Sequence, residues 1–582
     1  MDNMLESPGT GTAKSGLFSS VLTSPQLWLV VFLCLLAAML IYPVSLMIGP
    51  MYWDTFIYLD AAGRISQGQT PIVDFFAPVG PLGYYLFALF EWLFPNGNPL
   101  LLADWCILVV AAPAMSLILF DIGPRSRIIA WSLLAGFMIF AALPFNVFGF
   151  YPYPGVEGFG IYNRQSALLM YLLTTAVLFV DNRSIRLVLF IILTLALFLT
   201  KITGFISGGL VLAFAFACGL IKVRTAIMTA IVFLAVLGVW QIYDGTIGYY
   251  IQDILALTTR NEGVLLPRFL TATSHFTGVV IAGGLLALYL IISDMKDGAG
   301  RFVTRMTGST IDGSAFAIHR DWLWLSVLLF AGLFFETQNT GSHAFIIVLP
   351  GVLKIWLNNQ GRQRVSGAVL ALLIAFMCVP IVGGLLHKAI RTTAVSLIGD
   401  NYALENRNLG TIGQVIVKDV SYKRAERMKK HYEENVPVTR RLSEEGEMQS
   451  FLLYSEPGFQ TMWLMMHDEL IDAIEAYERE NDLTFDTIFT LDFTNIVPFV
   501  MDRKAPQHVA IGADPFRAIP PLDAKTTQAV RDTDLILSPK CPVTPAILLL
   551  EQIYRPALDG RRKIELTGCF DAYILDTDAP AQ

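Results

Sequence analysis

Charge is what this chain has least of. Asp, Glu, Lys and Arg make up 15% of its 582 residues, against roughly 25% in an ordinary soluble protein. So few charges cannot coat the three or four soluble domains that the length would otherwise suggest. Cysteine is sparse as well, and six in the whole chain exclude a disulfide-built scaffold. A formal net charge of −7 excludes a basic nucleic-acid binder. Glycine shows no three-residue period, which excludes a collagen-like fibre, and 54% apolar residues exclude a disordered chain. The composition is that of a membrane protein with a soluble part, at a mean hydropathy of +0.56.

The charges are unevenly spread. Residues 1–25 read as a cytoplasmic N-terminal segment. Residues 26–387 are long apolar runs broken by short polar loops. Beyond Lys388 no apolar run approaches the roughly 20 residues that a span requires, and the 22 basic and 30 acidic residues there make an ordinary, mildly acidic soluble surface. Eleven spans are expected, at about 26–48, 99–120, 128–148, 165–181, 187–200, 203–221, 226–243, 269–292, 322–336, 343–358 and 366–387. The pair around 187–221 reads equally as one broken helix or two. The run 26–48 is too long for a signal-peptide core and lacks a small-residue cleavage site.

Lys and Arg in the short loops set the expected orientation. With the N-terminus inside, inner loops carry Arg125, Arg127, Arg183, Arg186, Lys222, Arg224, Lys296, Arg301, Arg305, Arg320, Arg362 and Arg364. Outer loops carry chiefly Arg64, Arg164, Lys201, Arg260 and Arg268. An odd span count then places the C-terminal part outside. Cys541 and Cys569 are the only cysteines there, and an oxidising compartment would let them pair.

The first outer loop, about 50–98, is the longest between spans. Residues 54–66 suit a short helix and 81–94 an apolar helix too short to span, both lying along the membrane surface. Asp54 stands where the first span leaves the bilayer, a costly place for a carboxylate that is neither used nor paired. Asp60 reads as structural, paired with Arg64 at i+4. Further polar groups gather at the same face: Glu157, Asn163 and Arg164 in an aromatic, Gly-rich loop, Lys201 in an apolar stretch, Arg260, and Glu336, Gln338, Asn339 and His343 in the last loop between spans. Lys201 has a plainer reading as a side chain snorkelling to the interface, His343 as a hydrogen-bonded interfacial histidine, and Tyr84 and Tyr85 as interface anchors.

The loop has a recognisable order: Asp54, then Ala61-Ala62-Gly63-Arg64-Ile65-Ser66-Gln67-Gly68, then Pro71-Ile72-Val73-Asp74-Phe75-Phe76, then Gly80-Pro81-Leu82-Gly83-Tyr84-Tyr85. It resembles the GT-C superfamily of polytopic glycosyltransferases, which includes the protein O-mannosyltransferases and the lipid A aminoarabinose transferase. The segment around Lys201 and the loop with His343 also look like family positions. Thr55 follows Asp54 where the mannosyltransferases carry a second acid, so no two-acid motif transfers.

The resemblance implies transfer of a sugar from a polyprenyl-phosphate donor to a lipid, glycan or protein acceptor on the outer face, with inversion at the anomeric carbon. A bacterial inner membrane is the expected setting. Asp54 would be the general base. Lys201, Arg164, Arg260 and His343 would bind the donor phosphate, and Asp74, Glu157, Asn163 and Glu336 the sugar or acceptor. A divalent ion held by Asp54, Asp74 or Glu157 stays open, although no spacing demands one. A transporter or flippase of lipid-linked sugar is the main alternative, but no internal repeat is visible and the ionisable residues lie at the boundary rather than mid-bilayer. A non-catalytic assembly subunit is a third reading.

The tail divides into a charged helical connector, 388–449, and an α/β domain, 450–582. Strands are expected at 450–454, 487–493, 508–512, 534–538 and 563–566, and helices at 461–480, 522–531 and 543–554. The run Lys423–Lys430 reads as a solvated helix face, not a nucleic-acid contact. Asp492-Phe493-Thr494-Asn495 is either a site or a strand-end cap.

Overall fold

A computed structural model describes residues 24–575, apart from 78, 148–152, 261, 262, 264, 307–319, 340, 361–364, 449–455, 517 and 518; side chains at 259, 260 and 296–306 are also outside the description. The protein is an integral membrane protein. Four of its described helices are long and apolar enough to cross a bilayer: Arg183–Thr200, Val223–Asp244, Thr277–Met295 and Gly367–Ile398. Pro99–Trp105 and Leu108–Ile122, bent by 40°, make a fifth if taken as one span. Pro25–Ile41, Arg127–Ala142 and Ile202–Ala217 are apolar but shorter. The eleven expected spans therefore exceed the helices of crossing length. One reason is that helices Pro25–Ile41 and Arg127–Ala142 stop ahead of Pro43 and Pro144, short of the expected ends at 48 and 148.

Helix Ile161–Phe179 is buried along almost its whole length and lies at the centre. The doubtful pair near 187–221 is two helices, Arg183–Thr200 and Ile202–Ala217, meeting at an extended Lys201. Ends expected on the inner side lie together: Arg125 bonds Asp121 and Asp181, and Arg186 donates to the Leu220 carbonyl.

The connector is more than helical. Helix Gly367–Ile398 runs straight through position 387. Beyond it a small sheet forms from β1 (Leu46–Met47), β2 (Asn401–Ala403) and β3 (Val415–Lys418), in which β3 pairs parallel with β1 and antiparallel with β2. The exit of the first apolar helix is thus tied to the tail. The cations of helix Asp419–Glu434 face acids: Lys423 with Asp419 at 2.8 Å, Arg424 with Glu456 at 2.9 Å and Lys429 with Glu469 at 2.7 Å.

The last part is a four-stranded sheet in the order β4 (Ile488–Thr490), β5 (Leu535–Pro539), β7 (Phe570–Ile574), β6 (Arg562–Thr567). β4 and β5 run parallel, and β7 is antiparallel to both its neighbours. Helices Pro457–Asn481, Ala524–Arg531 and Pro545–Leu558 accompany it. Residues 508–512 form no strand but a single bridge, Ala510 to Phe76 of the first outer loop. The strand expected at 450–454 lies outside the described residues. β7 was not expected, although the alternation Phe570-Asp-Ala-Tyr-Ile574 after Gly568 is a strand signal. Cys541 and Cys569 form a disulfide between the end of β5 and the β6–β7 turn. Closing a loop of 28 residues contributes roughly 3–4 kcal/mol in the chain-entropy account.

Candidate active site

The site is built where the first outer loop meets the loop before helix Ile161–Phe179. Asp54 is the second residue of helix Trp53–Ser66. A carboxylate there suits the positive end of the helix dipole. Its Oδ2 accepts from the Gly160 N–H at 2.7 Å, and its own N–H donates to the Gly158 carbonyl at 3.0 Å. Gly160 is needed for this turn: its φ is +70°, and a Cβ would lie 2.4 Å from the Gly341 carbonyl oxygen. Oδ1 of Asp54 is left without a protein partner among the described residues. Burial pushes the carboxyl up to about 6, against the Gly160 N–H and the charges of Arg164 and Lys201, which pull it down.

Lys201 projects from the break between two apolar helices. Its Nζ donates to Asn163 Oδ1 at 2.6 Å, to the Gln338 carbonyl at 3.2 Å and to Asn339. The rings of Tyr162 and Phe335 flank it at 5.0 and 5.9 Å. Burial brings the ammonium down to about 7, opposed by Glu336 and Asp54. Lys201 therefore does not snorkel outward; it is 9% exposed and held by neutral dipoles. Glu336 is buried beside it and accepts from Ser342 Oγ at 2.6 Å. Asn163 spans the two loops, giving its Nδ2 to the Gly341 carbonyl at 2.7 Å. Asp54, Asn163, Lys201 and Glu336 are thus brought together.

Other expected site residues are engaged elsewhere. Arg164, expected at the phosphate, is a buried partner of Asp104, with Nε to Oδ1 at 2.8 Å and further bonds to Asn146 and the Phe159 carbonyl. Glu157 pairs with Lys388 at 3.0 Å and caps the Asn146 N–H at 2.8 Å. Asp74 caps a turn through the Thr70 N–H at 2.7 Å. Arg164 and Glu157 thus have protein partners for their charges, whereas Asp74 commits one carboxylate oxygen to its turn. His343 is buried against Phe140 and shares a small cavity of about 10 Å³ with Asp104, Arg164 and Gln165. Arg260 ends helix Thr246–Arg260, and its side chain lies outside the described residues. Arg268 donates to Gln338 Oε1 at 2.6 Å. Tyr84, expected as an interface anchor, is buried against Tyr58 at 5.1 Å.

Among the described residues no three His, Cys, Asp or Glu side chains come together as a metal-binding group. Both carboxylate oxygens of Glu157 are engaged, by the Asn146 N–H and by Lys388. Sequence reasoning missed Asp104 and Lys388 as partners. Both carried a signal, since each is an ionisable group within or at the end of an apolar run, where it must be paired.

No family model matches the chain, and no curated protein matches it. Similar solved structures include ArnT from Cupriavidus metallidurans bound to undecaprenyl phosphate, at 14% identity over 95% of this chain and 99% of that one, with a TM-score of 0.41. The apo form of ArnT gives 11% identity over 94% and 97%, with a TM-score of 0.40. The archaeal oligosaccharyltransferase AglB from Archaeoglobus fulgidus, in complex with an inhibitory peptide and a dolichol-phosphate, gives 12% over 95% and 75%, with a TM-score of 0.32. ArnT and AglB are GT-C glycosyltransferases, the superfamily that the first outer loop resembles. At TM-scores below 0.5 the likeness lends no weight to a function, which rests on the chain's own side chains.

Proposed function

We propose that the protein is a membrane glycosyltransferase that moves a sugar from a polyprenyl-phosphate donor to an acceptor on the outer face, with Asp54 as general base. The observation that supports this is Asp54 itself. It is a carboxylate with one oxygen held, one oxygen unengaged and a proton affinity raised to about 6, close to the range where a base works at neutral pH.

In the reaction, Oδ1 of Asp54 takes the proton of the acceptor hydroxyl. The acceptor oxygen attacks the anomeric carbon, and the bond from that carbon to the phosphate oxygen breaks with inversion. Polyprenyl phosphate leaves carrying the extra negative charge. Lys201 is the cation placed to meet that charge, and a cation aimed at developing charge acts most in the transition state. Asn163 and Asn339 hold Lys201, and Glu336 lies beside it as a carboxylate that favours its charged form. Arg164 acts one step back, by fixing the loop that carries Gly160.

Purified protein incubated with a panel of polyprenyl-phosphate sugars, with release of polyprenyl phosphate read by mass spectrometry, tests the reading. Wild type consumes one donor, and Asp54→Asn loses about two orders of magnitude in rate. Full activity in Asp54→Asn removes Asp54 as the base. No consumption of any donor, together with passage of lipid-linked sugar across vesicles, would move the protein to the transporters.

A further inference from the structure

We propose that the C-terminal domain clamps helix Trp53–Ser66 and thereby positions Asp54, so that the domain is part of the transfer site and not a separate binding module. The catalytic consequence rests on the reading of Asp54 as base; the clamp itself does not.

This helix of the first outer loop is enclosed on two sides. Asp54 and Tyr58, four residues apart, share one face, and Tyr58 packs on Tyr84 and Phe87 of the neighbouring loop helix at 5.1 and 5.5 Å. Another stripe, Trp53, Phe56, Asp60 and Arg64, follows the spacing of three and four residues that makes a continuous helix face. That stripe turns to the C-terminal domain. Phe56 stacks on Trp463 at 4.6 Å, and Trp53 meets the same indole edge-on at 5.4 Å. The Tyr52 N–H donates to Gln460 Oε1 at 2.7 Å. Arg64, 1% exposed, joins Asp60 at 2.8 Å to the Pro506 carbonyl at 2.6 Å. Just beyond the helix, Gln69 donates to the Ala505 carbonyl at 2.8 Å, and Phe76 exchanges backbone bonds with Val509 and Ile511 at 3.1 and 3.0 Å.

The clamp is also braced from behind. Trp463 Nε1 donates to Asp492 Oδ2 at 3.2 Å, and the His467 ring lies 3.7 Å from the indole. Asp492 uses its other oxygen to cap the Phe493 N–H at 2.7 Å. Asp492 thus both caps the strand end and holds Trp463, which makes Trp463 and Asp492 positioning residues. Gly63 completes the seam: a Cβ there would lie 3.2 Å from the Phe499 ring.

The charged and polar groups that act on Asp54 are Arg164, Lys201, the Gly160 N–H and the Tyr58 and Tyr84 hydroxyls. None belongs to the C-terminal domain. Loosening the clamp therefore leaves the charges around Asp54 in place and changes only its position and hydration. This separates the clamp from an electrostatic role.

The test needs no donor. Full-length protein in detergent is treated with a hydrophobic carbodiimide, which reacts with the protonated carboxyl, and labelling of Asp54 is mapped by mass spectrometry against pH. Wild type is expected to be half-labelled near pH 6. In Trp463→Ala the half-labelling pH falls by about one pH unit as water reaches the carboxyl, and Trp463→Phe keeps the wild-type profile. An unchanged profile in folded Trp463→Ala overturns the proposal. Should that variant not fold, Phe499→Ala at the far end of the seam gives the same comparison, with a fall supporting the clamp and an unchanged profile overturning it. Failure of the donor panel would leave this result standing, so the two readings fail separately.

Discussion

Around the first loop the protein holds two kinds of buried or half-buried charge. Along the seams, each cation meets one carboxylate: Arg64 with Asp60, Arg164 with Asp104 and Lys388 with Glu157, at 2.8 to 3.0 Å. At the centre, Asp54, Lys201 and Glu336 make no ion pair among the described residues and are held by neutral dipoles, from the Gly160 N–H, Asn163, Asn339 and Ser342. In a matched pair each charge stabilises the other where water is scarce, and removing one partner leaves the other uncompensated. A buried charge held by dipoles alone is nearer to losing it, as the shifts of Asp54 towards 6 and Lys201 towards 7 illustrate. The first arrangement suits holding loops together; the second suits moving a proton and meeting a transient anion.

The largest expected effect follows from breaking a matched pair. Asp104→Asn leaves Arg164 buried without its counter-charge, which costs about 3–5 kcal/mol. Thermal unfolding in detergent should show a clear fall in Tm. Asp54→Asn, by contrast, replaces a charge that burial already disfavours, and its Tm should stay close to wild type. Equal losses in the two variants would erase the distinction between seam and centre.

Part of this was legible in the sequence. Asp54 stood out as a carboxylate at the exit of the first apolar run, and the i+4 spacing of Asp60 and Arg64 foretold their pair. Lys201 was visible as a cation in an apolar stretch, with snorkelling as its plainer alternative, and Asn163 and Asn339 are the partners that hold it inward. The partners of Arg164 and Glu157 were hidden for one reason. Local sequence shows that a charge is present but not which distant group it faces; Arg164 and Asp104 are 60 residues apart and Lys388 and Glu157 231. The sheet beside β1 was invisible for the same reason, since two residues of strand carry no period to detect. The docking of the tail on the first loop rests on Trp463 and Arg64, whose partners lie some 400 residues away in the chain.

A smaller effect is expected at the centre. Lys201→Met removes the cation that would meet the leaving phosphate and should lower kcat by about two orders of magnitude, the scale for one lost donor in an anion-stabilising site. Lys201→Arg should not rescue it, because Tyr162 and Phe335 flank a space fitted to an ammonium and a guanidinium is larger and planar. Both variants should also lose some stability, Lys201→Met because the acceptors on Asn163, Gln338 and Asn339 lose their donor, and Lys201→Arg because the larger group overfills the space. Normal kcat in Lys201→Met would return Lys201 to a structural role and leave Asp54 as the only reactive group of the pair.

The smallest effect, and the sharpest on the comparison, is the dependence of kcat/KM on pH. Asp54 acts as a base only when deprotonated, and its carboxyl lies at about 6, so activity rises as pH passes upward through that value. Lys201 meets the phosphate only while protonated, and its ammonium lies at about 7, so activity falls as pH passes upward through that value. The expected profile is a narrow bell between the two, with rates changing severalfold over one pH unit on either side. Lys201→Gln should remove the falling limb while keeping the rising one, at a lower overall rate. A flat profile from pH 5 to 8 in wild type would mean that neither Asp54 nor Lys201 changes charge in a way that the reaction feels, and the contrast between the two regions would lose its chemical content.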